Sequence, residues 1–219
     1  MLALNLNLGV LWDMDGVIVD SGEAHCISWE KSLSRFGISF TRRFFNETFG
    51  MNNQGILSLL LERDATNEEV ETIGGLKEEL FRQDVQHALV PLPGVREWIE
   101  RFSKAGFSQA VASSAPRQNI DCVIEGLNLA DYFQAMVSGS TLQGKPDPAT
   151  FLLAAENLGV APTDCLVIED AQVGVEAAKR GGMKCVAVCT THAQEELSDA
   201  DIIVERLSDL TPENLKTLF

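Results

Sequence analysis

Residues 8–17 read LGVLWDMDGV, and this stretch decides the fold prediction. It is a short, continuously apolar run that ends in Asp13, Asp15 and Gly16. Such a run is typical of a strand that is buried on both faces, as in a parallel sheet covered by helices. Two carboxylates at the end of that strand would project into one crevice, at the edge of the sheet where open α/β folds bind ligands. We therefore expect the functional site to lie around Asp13 and Asp15.

The rest of the chain repeats this pattern in alternation with helices. Similar apolar runs predict further strands over residues 107–112, 134–137, 165–168, 184–188 and 201–204. Apolar residues at the spacing i, i+3, i+4, i+7 predict helices over residues 95–102, 120–127 and 151–158. Asp147 and Pro148 are expected to begin the last of these helices, and Gly159 to end it. The alternation predicts a doubly wound, Rossmann-like α/β fold with a parallel sheet.

The interval from residue 21 to residue 89 has a different character. It shows helical periodicity and many charges but no convincing strand, and Pro91 and Pro93 follow it. An insertion directly after the first strand lies at the carboxyl edge of the sheet, over the expected site. We therefore predict an α/β core domain of residues 1–20 and 90–219, with residues 21–89 as an inserted α-helical cap that acts as a lid.

Composition narrows the classes of function and location. The 219 residues include 17 Lys and Arg against 32 Asp and Glu, a net charge of −15, which argues against a nucleic-acid partner. The five cysteines form no C-x-x-C pair, so a disulfide framework or a zinc site is not expected. A signal peptide needs a basic start, and a membrane span needs roughly 20 apolar residues. We find neither and expect a cytoplasmic protein, able to work as a monomer.

Two further polar sites follow the predicted strands. Ser113 and Ser114 come after residues 107–112, where hydroxyl and amide donors can hold phosphate oxygens. Lys145 lies between Gly144 and Pro146, in a loop stiff enough to position it, and a lysine is a compact charge suited to phosphate. Each motif alone is weak, because serine pairs and turn lysines are common without a function.

A third pair, Glu169 and Asp170, follows the apolar run of residues 165–168. Adjacent carboxylates at the end of a buried strand repel each other unless a cation compensates their charge. Together with Asp13 and Asp15 they form an oxygen-rich set without His or Cys, which favours Mg²⁺ as the cofactor.

These motifs resemble, in order and in strand context, those of the haloacid dehalogenase (HAD) superfamily of phosphatases and phosphotransferases. Residues 12–21, WDMDGVIVDS, look like its first motif, and residues 167–183, VIEDAQVGVEAAKRGGM, resemble its last motif with the helix that follows. The motifs between and within these stretches fall at Ser113, Lys145, Glu169 and Asp170. The resemblance covers essentially the whole chain, including a helical cap inserted after the first strand.

The resemblance implies a mechanism. Asp13 would attack the phosphorus of a small phosphorylated metabolite and form an aspartyl phosphate. Asp15 would protonate the leaving oxygen and then activate the second nucleophile. Ser113 and Lys145 would hold the transferring oxygens, and Lys145 would also keep Asp13 ionised. The implied Mg²⁺ ligands are Asp13, the backbone carbonyl of Asp15, Asp170, and Glu169 directly or through water.

Asp15 also separates this chain from two kinds of relative. Dehalogenating members lack the second aspartate, because they have no leaving oxygen to protonate. A phosphonate-cleaving relative forms a Schiff base through a cap lysine, and the sequence shows no convincing counterpart. Phosphate esters therefore remain the expected substrates.

The attacking group on the aspartyl phosphate distinguishes a phosphatase, which uses water, from a mutase, which uses a sugar hydroxyl. In the stretch EAHCISW, His25 and Trp29 resemble cap residues of the β-phosphoglucomutase-like subgroup, although a structural histidine and a core tryptophan are alternatives. The arginine with which that subgroup grips a second phosphate aligns with Asn53, and a neutral amide cannot replace a guanidinium. Arg117 is a candidate for part of that charge, and Gly50 for a substrate contact.

We therefore favour a phosphatase acting on a sugar phosphate or a related small metabolite, with the mutase as the alternative. An alternative of another class is a catalytically silent binding protein on the same scaffold. Such a protein is expected to have lost Asp13, Asp15 or Lys145, and all three are present.

Overall fold

A six-stranded parallel sheet forms the centre of the computed structural model, which describes residues 8–85 and 89–218. The strand order is β3–β2–β1–β4–β5–β6. The strands are β1 (Gly9–Trp12), β2 (Ser108–Ser113), β3 (Ala135–Ser138), β4 (Cys165–Glu169), β5 (Lys184–Val188) and β6 (Ile202–Val204). The doubly wound parallel fold is confirmed, and every predicted strand lies within one residue of its observed position.

Helices connect the strands and cover the sheet. In chain order they are α1 (Gly22–Arg35), α2 (Arg42–Thr48), α3 (Asn53–Leu60), α4 (Asn67–Glu69), α5 (Gly75–Val85), α6 (Val95–Ala105), α7 (Arg117–Gly126), α8 (Ala149–Leu158), α9 (Gln172–Arg180) and α10 (Pro212–Leu215). A π-helical segment, Val70–Gly74, joins α4 to α5. In the part of the chain that the structure describes, no helix is both long and apolar enough to cross a bilayer.

The three predicted helices of the core correspond to α6, α7 and α8. The start of α8 differs from the prediction by one position, because Pro148 occupies the N-cap and the helix begins at Ala149. The Asp147 carboxylate still caps the helix, since it accepts a hydrogen bond of 2.9 Å from the backbone N–H of Ala149. Gly159 ends α8 as expected, with a φ of 65° that favours glycine.

Both faces of the sheet are buried, which accounts for the continuously apolar strands. Along β1, Val10 and Trp12 belong to the cluster that contains residues of α6 and α7, while Leu11 faces the cluster of α8 and α9. All three side chains are completely buried. The carboxylates that follow the strand therefore begin where the apolar sandwich ends.

The helices α1 to α3 and the π-helical segment pack around an apolar cluster of their own, which includes Trp29, Leu33 and Leu57, whereas Phe81 and Val85 of α5 pack in a cluster of the core. The two connections between these helices and the sheet run side by side, because the Leu92 N–H donates to the carbonyl oxygen of Ile18 at 2.9 Å. The chain thus enters and leaves the helical segment at neighbouring points of the core. The division at residues 20/21 and 89/90 stays a prediction.

We expect Ile124→Ala in α7 to lower the free energy of unfolding by about 2–5 kcal/mol, because it leaves a cavity in a fully buried cluster. Its matched control is Leu152→Ala in α8, whose side chain is 38% exposed against 0% for Ile124. The control should change stability by about 0.5 kcal/mol or less. Urea unfolding of both variants measures the difference, and equal losses would contradict the described core.

Candidate active site

Three buried carboxylates meet at the carboxyl edge of the sheet. Trp12 of β1 lies opposite Ile168 of β4, so the residues that follow them, Asp13 and Glu169, emerge side by side. Asp170 comes next in the chain, and one carboxylate oxygen from each of the three lies within 4.8 Å of the others. The register of two neighbouring strands therefore builds the cluster that the sequence predicts.

Lys145 is the cation of this cluster. Its Nζ donates to Asp13 Oδ1 at 2.6 Å and to Glu169 Oε1 at 2.5 Å, and the side chain is almost completely buried. The second oxygen of Glu169 accepts from the backbone N–H groups of Asp170 and Ala171 at 2.7 and 2.8 Å. Glu169 is thus held in place on both oxygens, between the lysine and the start of α9.

The cluster carries more negative charge than one lysine can balance. Burial is the main reason that the pKa of Asp13 rises from 3.8 to about 7, and the charge of Glu169 adds to it against the opposing effect of Lys145. Burial and the charges of Glu169 and Asp13 likewise raise the pKa of Asp170 well above its usual value. A divalent cation that prefers carboxylate oxygens would supply the missing positive charge, so the residues present fit Mg²⁺.

The sequence prediction gave Lys145 the task of keeping Asp13 ionised, and the structure shows that the lysine acts in this direction without being sufficient. Burial alone would lower the pKa of Lys145, but the charges of Asp13 and Glu169 outweigh it and raise that pKa above its ordinary value. The lysine therefore stays an ammonium. Full ionisation of Asp13 near neutral pH requires a further cation.

Gly16 and Thr191 complete the surroundings of Asp170. Gly16 has a φ of 85°, and a Cβ added there would lie 2.0 Å from Asp170 Oδ2, so only glycine fits this turn. Thr191 donates from its hydroxyl to the same Oδ2 at 2.5 Å. Sequence analysis missed Thr191, although its position shortly after β5, at the same edge of the sheet, is a usable signal.

Asp15 takes part in a separate hydrogen-bonded group. Its Oδ1 accepts from the Ser21 hydroxyl at 2.5 Å and lies 3.0 Å from His25 Nε2. On the far side of the ring, Lys77 Nζ lies 2.7 Å from His25 Nδ1. Because an ammonium can only donate, Nδ1 accepts, and Nε2 carries the hydrogen that is donated to Asp15. The geometry therefore fixes the tautomer of His25.

This arrangement leaves Asp15 as a carboxylate. Burial alone would raise its pKa, but the hydrogen bonds from His25 and the Ser21 hydroxyl and the charge of Lys77 lower that pKa below 3.8. A carboxylate can accept a proton but cannot give one. In the state that the structure shows, Asp15 is therefore placed as a base, and its expected role as an acid requires prior protonation.

A pocket lies over these groups and is closed from above by the helical segment. Its apolar wall is formed by Trp29, Phe45, Phe49, Met51 and Ile56. Asn53, Lys77 and Glu78 add polar groups to the same wall, and Ser113, Ser114 and Ala115 border it from the core. The pocket thus has an acidic floor, an apolar wall and a small polar corner.

The predicted serines lie at the pocket in two different arrangements. Ser113 is buried at the end of β2, where its Oγ accepts a hydrogen bond of 3.1 Å from the N–H of Ala115. The Ser114 hydroxyl donates to the carbonyl oxygen of Gly50 at 2.8 Å, so it joins the core to the helical segment. Gly50 lines the pocket with a φ of 91°, and its contact with a substrate stays a prediction.

The predicted cap residues also lie at the pocket. The His25 ring stacks on Phe81 with a centroid distance of 3.8 Å. Trp29 lines the pocket and also packs in the apolar cluster of the helical segment, so it is a core tryptophan, and its contact with a substrate stays a prediction. Asn53 donates from Nδ2 to Glu78 Oε1 at 2.9 Å. Asn53 thus has a carboxylate beside it, where the subgroup has a cation.

The prediction that Arg117 supplies charge to the site is wrong. Its Nε donates to Asp121 at 2.7 Å, one helical turn along α7, and its guanidinium also donates to the carbonyl oxygen of Met136 in β3 at 3.3 Å. The side chain is 59% exposed and does not line the pocket. The spacing i, i+4 within α7 favours this surface ion pair.

One lysine of the helical segment, Lys77, lies in the pocket, and its surroundings differ from those of a Schiff-base lysine. Its Nζ is 2.9 Å from Glu78 Oε1 and also contacts His25. An ammonium held by a carboxylate has no free electron pair, so the arrangement does not favour a Schiff base. In the sequence, Lys77 and Glu78 look like a surface pair, and the only signal was the position of Phe81 four residues after Lys77.

Comparison with known proteins agrees with this geometry. A family model described as "Haloacid dehalogenase-like hydrolase" matches residues 10–188. The chain is 33% identical to a β-phosphoglucomutase of Bacillus subtilis over 94% of its own length and 92% of the relative's. It is 30% identical to a fructose-1-phosphate phosphatase of Escherichia coli, over 82% and 95% of the two chains.

A solved structure shows the same fold. The crystal structure of a β-phosphoglucomutase from Clostridium difficile superposes with a TM-score of 0.85 over 96% of both chains, at 24% identity. The motifs, the parallel sheet and the family match agree, and the chain belongs to the haloacid dehalogenase-like hydrolases.

Proposed function

We propose that the protein is a Mg²⁺-dependent phosphatase that removes phosphate from a small phosphorylated metabolite, most simply a sugar phosphate. The observation that carries this proposal is the position of Asp13, which lies at the pocket floor beside Lys145 and within reach of Glu169 and Asp170. A buried carboxylate in contact with a fixed cation is suited to attack phosphorus and form an aspartyl phosphate.

Different residues of the site would bind the phosphoryl group and transfer protons. Lys145 and the donors around Ser113 are placed to hold the phosphoryl oxygens. Asp15, oriented by Ser21 and His25, is placed to take the proton of an attacking water and, once protonated, to give one to the leaving oxygen. Asp13, Asp170, the Asp15 carbonyl, and Glu169 directly or through water, would hold Mg²⁺, which would supply positive charge to neutralise the transferred group.

The helical segment of residues 21–89 would act as a cap that excludes bulk water. Three contacts between the segment and the core support this role. Ser114 donates to the Gly50 carbonyl, and Asn52 Nδ2 donates to the carbonyl oxygen of Leu142 at 3.1 Å. Asn119 of the core donates to Glu78 at 2.6 Å. Gly50, Ser114 and Glu78 line the pocket, and Asn52 lies between the lining residues Met51 and Asn53, so opening the cap would expose the pocket.

Water is the acceptor that the site favours. A mutase of this kind must grip a second phosphate, and the position expected to do so is Asn53, an amide already bonded to Glu78. The second candidate is nevertheless a β-phosphoglucomutase-type activity, because the chain is similar to such an enzyme over nearly its whole length. The polar corner of the pocket, formed by Asn53, Lys77 and Glu78, is therefore the part of the site that would distinguish a phosphatase from a mutase.

Product analysis tests the proposal. With Mg²⁺, we expect sugar monophosphates such as fructose 1-phosphate to give free phosphate and the dephosphorylated sugar. β-Glucose 1-phosphate with a trace of glucose 1,6-bisphosphate should give no more than a minor fraction of glucose 6-phosphate. Isomerised sugar phosphate as the main product would support the mutase, and no reaction with any ester would contradict both activities.

Mg²⁺ should stabilise the protein more at high pH than at low pH. In the folded protein the pKa of Asp13 is raised from 3.8 to about 7. Without metal, the stability that this group contributes at low pH is therefore lost as the pH rises through about 7, where the folded protein gives up the proton. Mg²⁺ needs the ionised carboxylates and would restore that loss. Thermal unfolding with Mg²⁺ and with chelator, at pH values well below and well above 7, measures the effect.

The control for this measurement is Asp131→Asn, which removes an exposed acid and should keep the full Mg²⁺ effect. Asp170→Asn should lose most of it. A Mg²⁺-induced shift in Tm that is equal at both pH values, or larger below pH 7, would contradict the described electrostatics.

A further inference from the structure

We propose that Glu78 selects the substrate: the enzyme prefers phosphate monoesters whose leaving group carries hydroxyl or ammonium donors, and it rejects leaving groups with a second anionic group. This inference rests on the proposed phosphatase function and concerns the other end of the same substrate. Sugar-alcohol and amino-sugar monophosphates are the class that fits, whereas bisphosphates and phosphorylated sugar acids do not.

Glu78 is a carboxylate built into the pocket wall. Its side chain is about 5% exposed, and the residue lines the pocket near Asn53 and Lys77. Oε1 accepts from Asn53 Nδ2 and from Lys77 Nζ, each at 2.9 Å. Oε2 accepts from Asn119 Nδ2 at 2.6 Å. Donors from three elements, α3, α5 and α7, therefore fix the orientation of this carboxylate.

Asn119 is itself held in one orientation. It is completely buried in α7, and its Oδ1 accepts from an Arg82 guanidinium N–H at 2.8 Å. The amide nitrogen is thus directed at Glu78 and the amide oxygen at Arg82, on the same helix α5. Because both ends of the Asn119 amide are used, Glu78 cannot rotate away from the pocket without breaking a buried network.

Glu78 is ionised. Burial alone would raise its pKa, but the charge of Lys77 and the hydrogen bonds from Lys77 and Asn119 hold that pKa below the usual 4.5. A carboxylate offers about four acceptor positions, and the protein fills three of them. One position remains for a donor from a bound molecule, and a hydroxyl or an ammonium would fit it.

The same corner has no free positive charge for an anion. Among the described residues that line the pocket, Lys77 is the only Lys or Arg, and it is already bonded to Glu78 and to His25. The charge of Lys77 is balanced by Glu78, so a second phosphate or a carboxylate would meet the Glu78 carboxylate in a corner that has no net positive charge. Like charges that are forced together in a desolvated site are a strong source of discrimination.

The remaining wall favours a carbon skeleton. Phe49, Met51 and Ile56 line the pocket, so the carbon–hydrogen face of a sugar or polyol can lie against them. Hydroxyls at the far end would then reach Glu78 and Asn53. The polar corner thus discriminates between leaving groups by their charge, while the apolar wall contacts their carbon skeleton.

Two matched substrate pairs test the inference on the wild-type enzyme. Sorbitol 6-phosphate and gluconate 6-phosphate differ in one terminal group, an alcohol or a carboxylate. Fructose 1-phosphate and fructose 1,6-bisphosphate differ in a second phosphate. We expect kcat/KM to be at least about tenfold higher for the member of each pair whose leaving group is uncharged, which we call the neutral member. For an ester that is not turned over, its inhibition of p-nitrophenyl phosphate hydrolysis gives the same comparison.

The variant Glu78→Gln should reduce this preference to about threefold or less, mainly through a lower KM for the anionic esters. The control Glu79→Gln makes the same charge change at the next position of α5, where the side chain is exposed, and should keep the wild-type preference. Unfolding temperatures of both variants show whether the fold is kept. The wild-type ratios test the inference even if Glu78→Gln is unstable.

Equal kcat/KM for neutral and anionic members, or a preference for the anionic ones, would overturn the role of Glu78. An unchanged preference in a folded Glu78→Gln variant would do the same. If the wild type hydrolyses no ester, p-nitrophenyl phosphate included, the proposed phosphatase function itself fails. The two failures are therefore distinguishable.

Discussion

The burial of three carboxylates against a single lysine is the constraint on which the rest of the site depends. Asp13, Glu169 and Asp170 are held together by the register of β1 and β4 and by Lys145, which bonds to two of them. An uncompensated buried charge typically costs several kcal/mol, so the cluster is costly for the fold as it stands. A hard divalent cation, as proposed for this site, would relieve that cost.

A second hydrogen-bonded network connects Asp15 to residues of the helical segment and from there back to the core. It runs from Asp15 through His25 and Lys77 to Glu78, and from there to Asn119 in α7. Each member fixes the donor or acceptor state of the next, because an ammonium can only donate and a carboxylate can only accept. Asp15 and Glu78 are thus parts of one hydrogen-bonded chain, and this chain is complete only while Glu78 contacts Asn119 of the core.

The sequence predicted the core of the fold and the floor of the site because both depend on short patterns of neighbouring residues. A strand buried on both faces is a continuous apolar run, and a carboxylate directly after it must lie at the sheet edge, as Asp13 and Glu169 do. Lys145 was visible because prolines and a glycine surround it. The register between β1 and β4, which sets the distances in the cluster, has no such local signal.

The cap could be predicted as helical but not as a set of contacts. Lys77 and Glu78 lie on a helix whose charged residues resemble those of any exposed helix, and their burial follows from packing against α1 and α7. Asn119 gave no signal at all, because a buried amide is recognised only by its partners. Arg117 was misplaced for the converse reason: closeness in sequence to Ser113 and Ser114 suggested closeness in space, whereas the first turn of α7 directs its side chain to Asp121.

The most direct test of the account is whether Asp13 carries the phosphoryl group during turnover. The enzyme would be mixed with Mg²⁺ and an excess of an ester that it hydrolyses. The reaction would be quenched in acid during the steady state, and the protein would be digested for mass spectrometry. We predict that the mass of one phosphoryl group is found on the peptide containing Asp13 and is absent from the Asp13→Asn variant, which should be inactive but folded. Phosphate on another residue, or substantial turnover by Asp13→Asn, would contradict the central claim.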